Sequence, residues 1–319
     1  MSALVLAIPS KGRLKEQAEH FLADCGLAIR ADARGYTATM PSVPDVAVRL
    51  LSSAEIATAL RDGAAHAGVA GEDLLRETEP ALARTALLAP LGFGRADLVV
   101  AAPQSWVDVQ TLADLDAVCH AFRLRTGARL RVATKYMALT RAFFAAHGLH
   151  DYRVVESLGA TEGAPGAGAA EIIVDITTTG ATLAANHLKI VADGVILRSQ
   201  AHLAASRAAH WTPQALAALA VLTESIEARA RARARRALRV TCLPAAAAAV
   251  RAAAAALGCE PVEGGESLTF LCASETLARA GSALLRAGAL AVSVQAPDFL
   301  FAGGGEALRR FHDSIDKKP

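Results

Sequence analysis

Glu171-Ile172-Ile173-Val174-Asp175-Ile176-Thr177-Thr178-Thr179-Gly180-Ala181-Thr182-Leu183 is the stretch on which the fold turns. An apolar run of strand length carries a carboxylate near its end and passes straight into hydroxyls and a glycine where a helix begins. Ligands of open α/β sheets gather outside the carboxyl ends of strands, where helix N-termini leave backbone N–H groups free. Thr178, Thr179 and Thr182 add hydroxyls to those amides, a donor set suited to a phosphate. Asp175 would repel that phosphate; its natural partner is a pair of sugar hydroxyls or a Mg²⁺ ion bridging the ligand. The plainer alternative is a strand end whose hydroxyls cap the next helix. The run Glu162-Gly-Ala-Pro-Gly-Ala-Gly168 just upstream weighs against it.

Outward from this stretch, short apolar runs alternate with amphipathic segments, as in an α/β protein whose strands are covered on both faces. Strands are expected at Leu4–Ile8, Val46–Leu50, Ala67–Ala70, Asp97–Ala101, Leu130–Ala133, Glu171–Ile176 and Gly194–Leu197, with helices between them. Arg13–Cys25 has helical spacing, and Ser52 with Glu55 spells a capping box for a helix ending near Gly63. Pro213–Arg236 reads as one long connecting helix. Its closing arginines (Arg229, Arg231, Arg233, Arg235 and Arg236) are spaced so that they surround the helix as a solvated surface rather than a nucleic-acid stripe. From Leu238 to Gln295 the order strand, helix, strand, strand, helix, strand predicts a ferredoxin-like βαββαβ domain without a catalytic cluster.

Composition narrows the function. Among 319 residues Lys and Arg nearly balance Asp and Glu, leaving a formal charge of +2 and no global field toward nucleic acid. The five cysteines are widely spaced and odd in number, which fits reduced thiols and, with no leader at the N-terminus, a cytoplasmic protein. Alanine-rich stretches such as Ala245–Leu257 are too short to span a bilayer, so no membrane is expected. No Gly-x-x-x-x-Gly-Lys-Ser/Thr loop, strand-borne Gly-x-Gly-x-x-Gly or Gly-x-Ser-x-Gly elbow occurs, and the nine histidines are scattered, which argues against a bound transition metal.

The loop and its surroundings resemble the ATP phosphoribosyltransferases. Glu162, Gly168, Ala170, Ile173, Asp175, Thr179, Gly180 and Thr182 fill the family's signature without a gap. Ile8-Pro-Ser-Lys11-Gly12-Arg13-Leu14 is similar to the family's opening element. Arg49, Ala54-Glu55-Ile56, Asp62-Gly63-Ala64 and Gly68-Val-Ala-Gly71-Glu-Asp73-Leu74 are similar to its next block. Val132-Ala-Thr134-Lys135-Tyr136 and Leu139–Phe144 follow the pattern too, so the resemblance covers residues 1 to about 210. Two positions depart from it: Ala181 stands where a longer polar residue is frequent, and Ser10 stands where proline commonly precedes the lysine.

The resemblance implies a bilobal catalytic part of type II periplasmic-binding-protein fold, with 1–95 and 188–212 as lobe I and 96–187 as lobe II. A connector at 213–237 and a C-terminal domain at 238–319 would follow, the latter resembling the regulatory domain at which histidine acts as feedback inhibitor. It implies transfer of the phosphoribosyl group of phosphoribosyl pyrophosphate to an adenine nitrogen of ATP, so that no protein nucleophile is needed. Thr177, Thr178, Thr179, Gly180, Ala181 and Thr182 would hold the 5-phosphate, Asp175 the ribose hydroxyls, and Mg²⁺, carried by the substrate near Asp175, the pyrophosphate. Lys11, Arg13 and Arg49 would be cations aimed at developing charge. Lys11, Gly12, Arg13, Arg49, Gly71, Asp73, Leu74 and Glu162 would face ATP. A homo-oligomer, dimer or hexamer, is expected. The rival is a non-catalytic bilobal binder of a small phosphate ester, because fold alone does not fix function.

Overall fold

The computed structural model describes residues 3–31, 37–157, 159–262, 268–303 and 305–316. Two compact units emerge: residues 1–21, 29–218 and 311–319 form the first, and residues 22–28 with 219–310 the second. The division falls inside a continuous helix, between Ala218 and Leu219, where nothing in the composition marks it.

In the first unit the chain runs through β1 (Leu4–Pro9), α1 (Gly12–Asp24), β2 (Arg30–Ala31), β3 (Thr37–Thr39) and β4 (Val46–Leu51). It continues with α2 (Ser53–Asp62), β5 (Ala67–Gly71), α3 (Glu72–Thr78) and β6 (Thr85–Pro90). β7 (Ala96–Pro103) opens a second lobe, followed by α4 (Leu112–Thr126), β8 (Leu130–Thr134), α5 (Met137–Ala146), β9 (Tyr152–Glu156), β10 (Ile172–Thr177), α6 (Ala181–Ala185) and β11 (Leu188–Ser199). β11 pairs with β7 in the second sheet, so the return to the first lobe expected at residue 188 comes only with β12 (Ala201–Ser206), and α7 (Pro213–Ala234) follows. The capping box is formed: Ser52 Oγ accepts from Glu55 N at 3.3 Å while Glu55 Oε2 accepts from Ser52 N at 2.7 Å.

The two sheets repeat one plan. In the first, β4, β1, β5, β12 and β6 lie side by side, extended at the β4 edge by β3 and β2. In the second the order is β9, β8, β10, β7, β11. Each sheet has three parallel strands in the order second, first, third. An antiparallel strand that has crossed from the other lobe sits beside the third, with the lobe's fourth strand outside it. This is the bilobal plan of the type II binding proteins. β12 went unread in the sequence, because Ala201-His-Leu-Ala-Ala-Ser206 lacks the β-branched residues that mark a strand, yet all six of its residues are buried.

The second unit carries β13 (Arg235–Cys242), α8 (Ala247–Ala255), β14 (Glu260–Val262), β15 (Leu268–Ala273), α9 (Leu277–Arg286) and β16 (Ala289–Gln295), in sheet order β14, β15, β13, β16. Leu238, Val240, Val250, Phe270 and Leu284 form its core, as the ferredoxin-like reading requires. Two expectations are corrected. Arg235 and Arg236 lie in β13 rather than in the helix, and the arginines are paired rather than simply solvated: Arg229 with Asp298, Arg231 with Glu227, Arg233 with Asp24 and Arg235 with Glu260. The thiols are not all reduced either. Glu260 pairs with Leu271, which sets Cys259 opposite Cys272 with Cα atoms 4.5 Å apart, and the two form a disulfide. The tail, for which the sequence offers no function, contributes α10 (Glu306–Asp316); Phe311, which belongs with Trp211 to the first unit, is buried against it.

The two lobes of the first unit meet at a buried carboxylate. Asp73, in the first turn of α3, accepts from Tyr136 Oη at 2.6 Å and from Ser199 Oγ at 2.8 Å, while its own N–H donates to Ser199 Oγ at 3.0 Å. One turn on, Glu77 accepts from the N–H groups of Ala138 and Leu139 at the start of α5, so a carboxylate stands at that helix N-terminus. Burial, with the Asp73 charge next, pushes the Tyr136 hydroxyl far above the usual tyrosine range, so it stays a donor. Tyr136→Phe leaves one oxygen of a buried carboxylate without its donor and is expected to destabilise the first unit by about 1–3 kcal/mol. Denaturant melts would register this as a lower midpoint; an unchanged midpoint would mean that Asp73 finds another donor.

Candidate functional site

All but one of the residues singled out in the sequence stand at the carboxyl ends of strands. In the first lobe Lys11, Gly12 and Arg13 follow β1, and Gly71, Asp73 and Leu74 close β5 and open α3. In the second lobe Lys135 follows β8, Glu162 lies in a short 3₁₀ turn after β9, and the Thr177–Thr182 loop follows β10. Arg49 is the exception: it lies within β4, exposed and in register with Ala7 of β1.

The loop is wound by its own side chains. Thr177 Oγ1 accepts from Gly180 N at 2.9 Å, Thr179 Oγ1 approaches Ala181 N at 3.4 Å, and Thr178 Oγ1 donates to the Arg95 carbonyl at 3.3 Å. Gly180 takes the left-handed conformation, φ +76°, at which a side chain would be strained. Thr178, Thr179 and Thr182 remain exposed. The helix they lead into is only five residues long, so few peptide dipoles are aligned there. Hydroxyls and individual N–H groups must therefore carry more of any anion contact.

Asp175 is half-buried, and its Oδ1 accepts from Ile176 N at 2.8 Å. Burial holds its carboxyl above the ordinary carboxylate range; the Ile176 N–H and the Lys135 ammonium oppose that rise, and the Glu162 charge adds to it. Two carboxylates and a lysine therefore feel one another here. The sequence marks Lys135 only as part of a segment similar to the family, because its proximity to a residue forty positions later comes from strand pairing. Among the described residues no three His, Cys, Asp or Glu side chains converge to cage a resident metal. Asp175 and Glu162 suit a divalent cation that arrives with an anionic ligand.

Beside the loop lies a cavity of about 450 Å³ lined by Arg13, Leu14, Gln17, Phe93, Arg95 and Thr178, with Gly92 and Gly94 in its wall. Arg13 belongs to the sequence reading; the Gly92–Arg95 segment does not, since it lies in a connection without an apolar period. Neither Arg49 nor Asp73 lines this cavity. The Asp73 carboxylate is spent on Tyr136 and Ser199, and Leu74 packs against the core of the second lobe, so both hold the lobes together. The arrangement offers exposed hydroxyls, a raised carboxylate and several cations to a ligand with anionic groups.

The family model described as ATP phosphoribosyltransferase matches residues 52–228. An ATP phosphoribosyltransferase of Caulobacter vibrioides is 52% identical over 320 residues, covering 99% of this chain and 98% of that protein. One of Afipia carboxidovorans is 50% identical over 308 residues, 93% of this chain and 94% of its own length. Among solved structures, a chain of the ATP phosphoribosyl transferase (HisG:HisZ) complex from Thermotoga maritima superposes with a TM-score of 0.54 at 27% identity, over 70% of this chain and 98% of that one.

Proposed function

The chain belongs to the ATP phosphoribosyltransferase family, in its long form, and from that membership we infer how its cleft residues divide the work. The reaction joins the anomeric carbon of phosphoribosyl pyrophosphate to an adenine nitrogen of ATP as pyrophosphate departs, the first step of histidine biosynthesis. The alternative of a non-catalytic binder gives way to it.

In the proposed arrangement the Thr177–Thr182 loop holds the 5-phosphate of phosphoribosyl pyrophosphate, with donors from Thr178, Thr179, Thr182 and the backbone of Gly180 and Ala181. Asp175 accepts from the ribose hydroxyls. Mg²⁺ enters with the pyrophosphate and offsets its charge. Lys11 and Lys135 are fixed cations near the charge that develops on departure, while Arg13 lies toward the phosphates of ATP. Glu162, Gly12 and Gly71 border the ATP side, with Arg49 further out on the first sheet. Because ATP is its own nucleophile, the protein contributes position and electrostatics, and holding two substrates in line is worth roughly 7–11 kcal/mol of barrier. The observation that carries this reading is that Thr178, Thr179 and Thr182 face outward beside Asp175 instead of packing into the core.

The C-terminal βαββαβ domain is proposed as the seat of feedback by histidine, and the working form as a homo-oligomer. The biosynthetic relatives support the cytoplasm as its site of action, and among the described residues no helix is long and apolar enough to cross a membrane.

Pyrophosphate release from ATP, phosphoribosyl pyrophosphate and Mg²⁺ measures the reaction. Asp175→Ala and Thr182→Ala are each expected to lower turnover about tenfold or more, the loss of roughly one charge-assisted contact in the transition state, with the fold intact by circular dichroism. Wild-type turnover in both would remove the loop from the site. The same assay has a pH signature. Asp175 accepts from both ribose hydroxyls most strongly when ionised, and its folded pKa is raised, so activity should fall as pH drops through a range above that of an ordinary carboxylate. Glu162→Gln removes a charge that raises it and should move the acid limb of kcat/KM to lower pH; a limb that stays put or moves up would uncouple Glu162 from Asp175.

A further inference from the structure

We propose that Arg95 is a nucleotide-binding residue of this reaction: together with Arg13 it holds the polyphosphate of ATP, while Phe93 offers its ring to the purine. The proposal rests on the cleft being the phosphoribosyl-transfer site.

Position is the first support. The segment that carries Phe93 and Arg95 is pinned to the first sheet, Leu91 N donating to Ala201 O and Ala201 N to Phe93 O, both at 2.9 Å. Its far end is pinned to the loop after β10, through Thr178 Oγ1 and the Arg95 carbonyl. Whatever occupies the cavity beside Arg95 therefore lies against the loop assigned to the sugar phosphate, as the second reactant must. Gly94 makes the close packing of this wall feasible. Its φ is +62°, and a Cβ there would come within 2.9 Å of Leu14 Cδ1 on the facing helix.

Charge is the second support. Arg13 and Arg95 line the same cavity, both are exposed, and among the described residues neither guanidinium pairs with a carboxylate. Two like charges carried by residues that line one cavity, with no carboxylate paired to either among the described residues, favour an anion that spans them, and guanidinium groups match phosphate oxygens two at a time.

Shape and chemistry choose the anion. A volume of about 450 Å³ suits a nucleotide-sized ligand. Its lining joins the two arginines to Phe93, whose ring rests on Phe21 with centroids 5.5 Å apart, to Leu14, and to the carboxamide of Gln17, which can donate and accept along a base edge. A sugar diphosphate has no flat apolar face for such a wall. Of the two substrates, only ATP combines a flat aromatic ring with a chain of phosphates.

The experiment is steady-state pyrophosphate release by the full chain, with each substrate varied at saturating levels of the other. Arg95→Gln is expected to raise KM for ATP about tenfold, the loss of one charge-assisted contact, while KM for phosphoribosyl pyrophosphate stays within about twofold. Arg95→Lys should recover part of the loss, and calorimetric titration of ATP into Arg95→Gln should weaken in parallel. An unchanged KM for ATP, or a rise confined to phosphoribosyl pyrophosphate, would overturn the assignment while leaving the phosphoribosyl-transfer reading in place. A wild-type chain that released no pyrophosphate would remove that reading, and Arg95's role with it.

Discussion

A single buried carboxylate fixes the geometry on which the cleft depends. Asp73 belongs to the first lobe, its hydroxyl donor Tyr136 to the second, and its other donor Ser199 to the end of the strand that leads back. A carboxyl group out of water destabilises the fold unless its oxygens are hydrogen-bonded, so satisfying Asp73 brings three separated elements to one point. Glu77 repeats the device one turn later by receiving the first amides of α5. The strand ends that present Lys11, Arg13, Lys135 and the Thr177–Thr182 loop are thereby kept in a constant relation. Positioning of two substrates needs such a frame more than it needs a reactive side chain.

Within that frame the local electrostatics are in conflict by design of the sequence. Asp175 sits half out of water near a second acid, Glu162, and only the Ile176 amide and the Lys135 ammonium offset them. Two arginines, Arg13 and Arg95, line one cavity, and among the described residues neither guanidinium pairs with a carboxylate. The protein tolerates both imbalances because Asp175 is only half-buried and Arg13 and Arg95 are exposed to water. In the proposed arrangement two different substrates relieve them, ribose hydroxyls at Asp175 and the phosphates of ATP at the arginines.

Much of this was legible in the sequence where the information is local. The strand Glu171–Ile176, the hydroxyl loop after it, the Ser52–Glu55 capping box and the βαββαβ order are all written in contiguous residues with a definite period or spacing. What escaped is non-local. Lys135 approaches Asp175 only because β8 and β10 are paired, and Cys259 meets Cys272 only through the register of β14 with β15. Asp73 looked like a ligand-facing acid because nothing near it in the chain reveals Tyr136 or Ser199. Arg235 and Arg236 continued a helical composition that β13 interrupts, since pairing with β15 and β16 overrides propensity.

The late return of β12 has a consequence for how the molecule comes into being. Its six residues fill the gap between β5 and β6, yet they follow both in the chain by more than a hundred positions. As the polypeptide leaves the ribosome, the first sheet therefore waits with an open seam of unpaired amides until residue 206 is available. During that interval two hydrogen-bonding edges are exposed, the condition under which a nascent chain is most prone to pair with a neighbour and most in need of a chaperone.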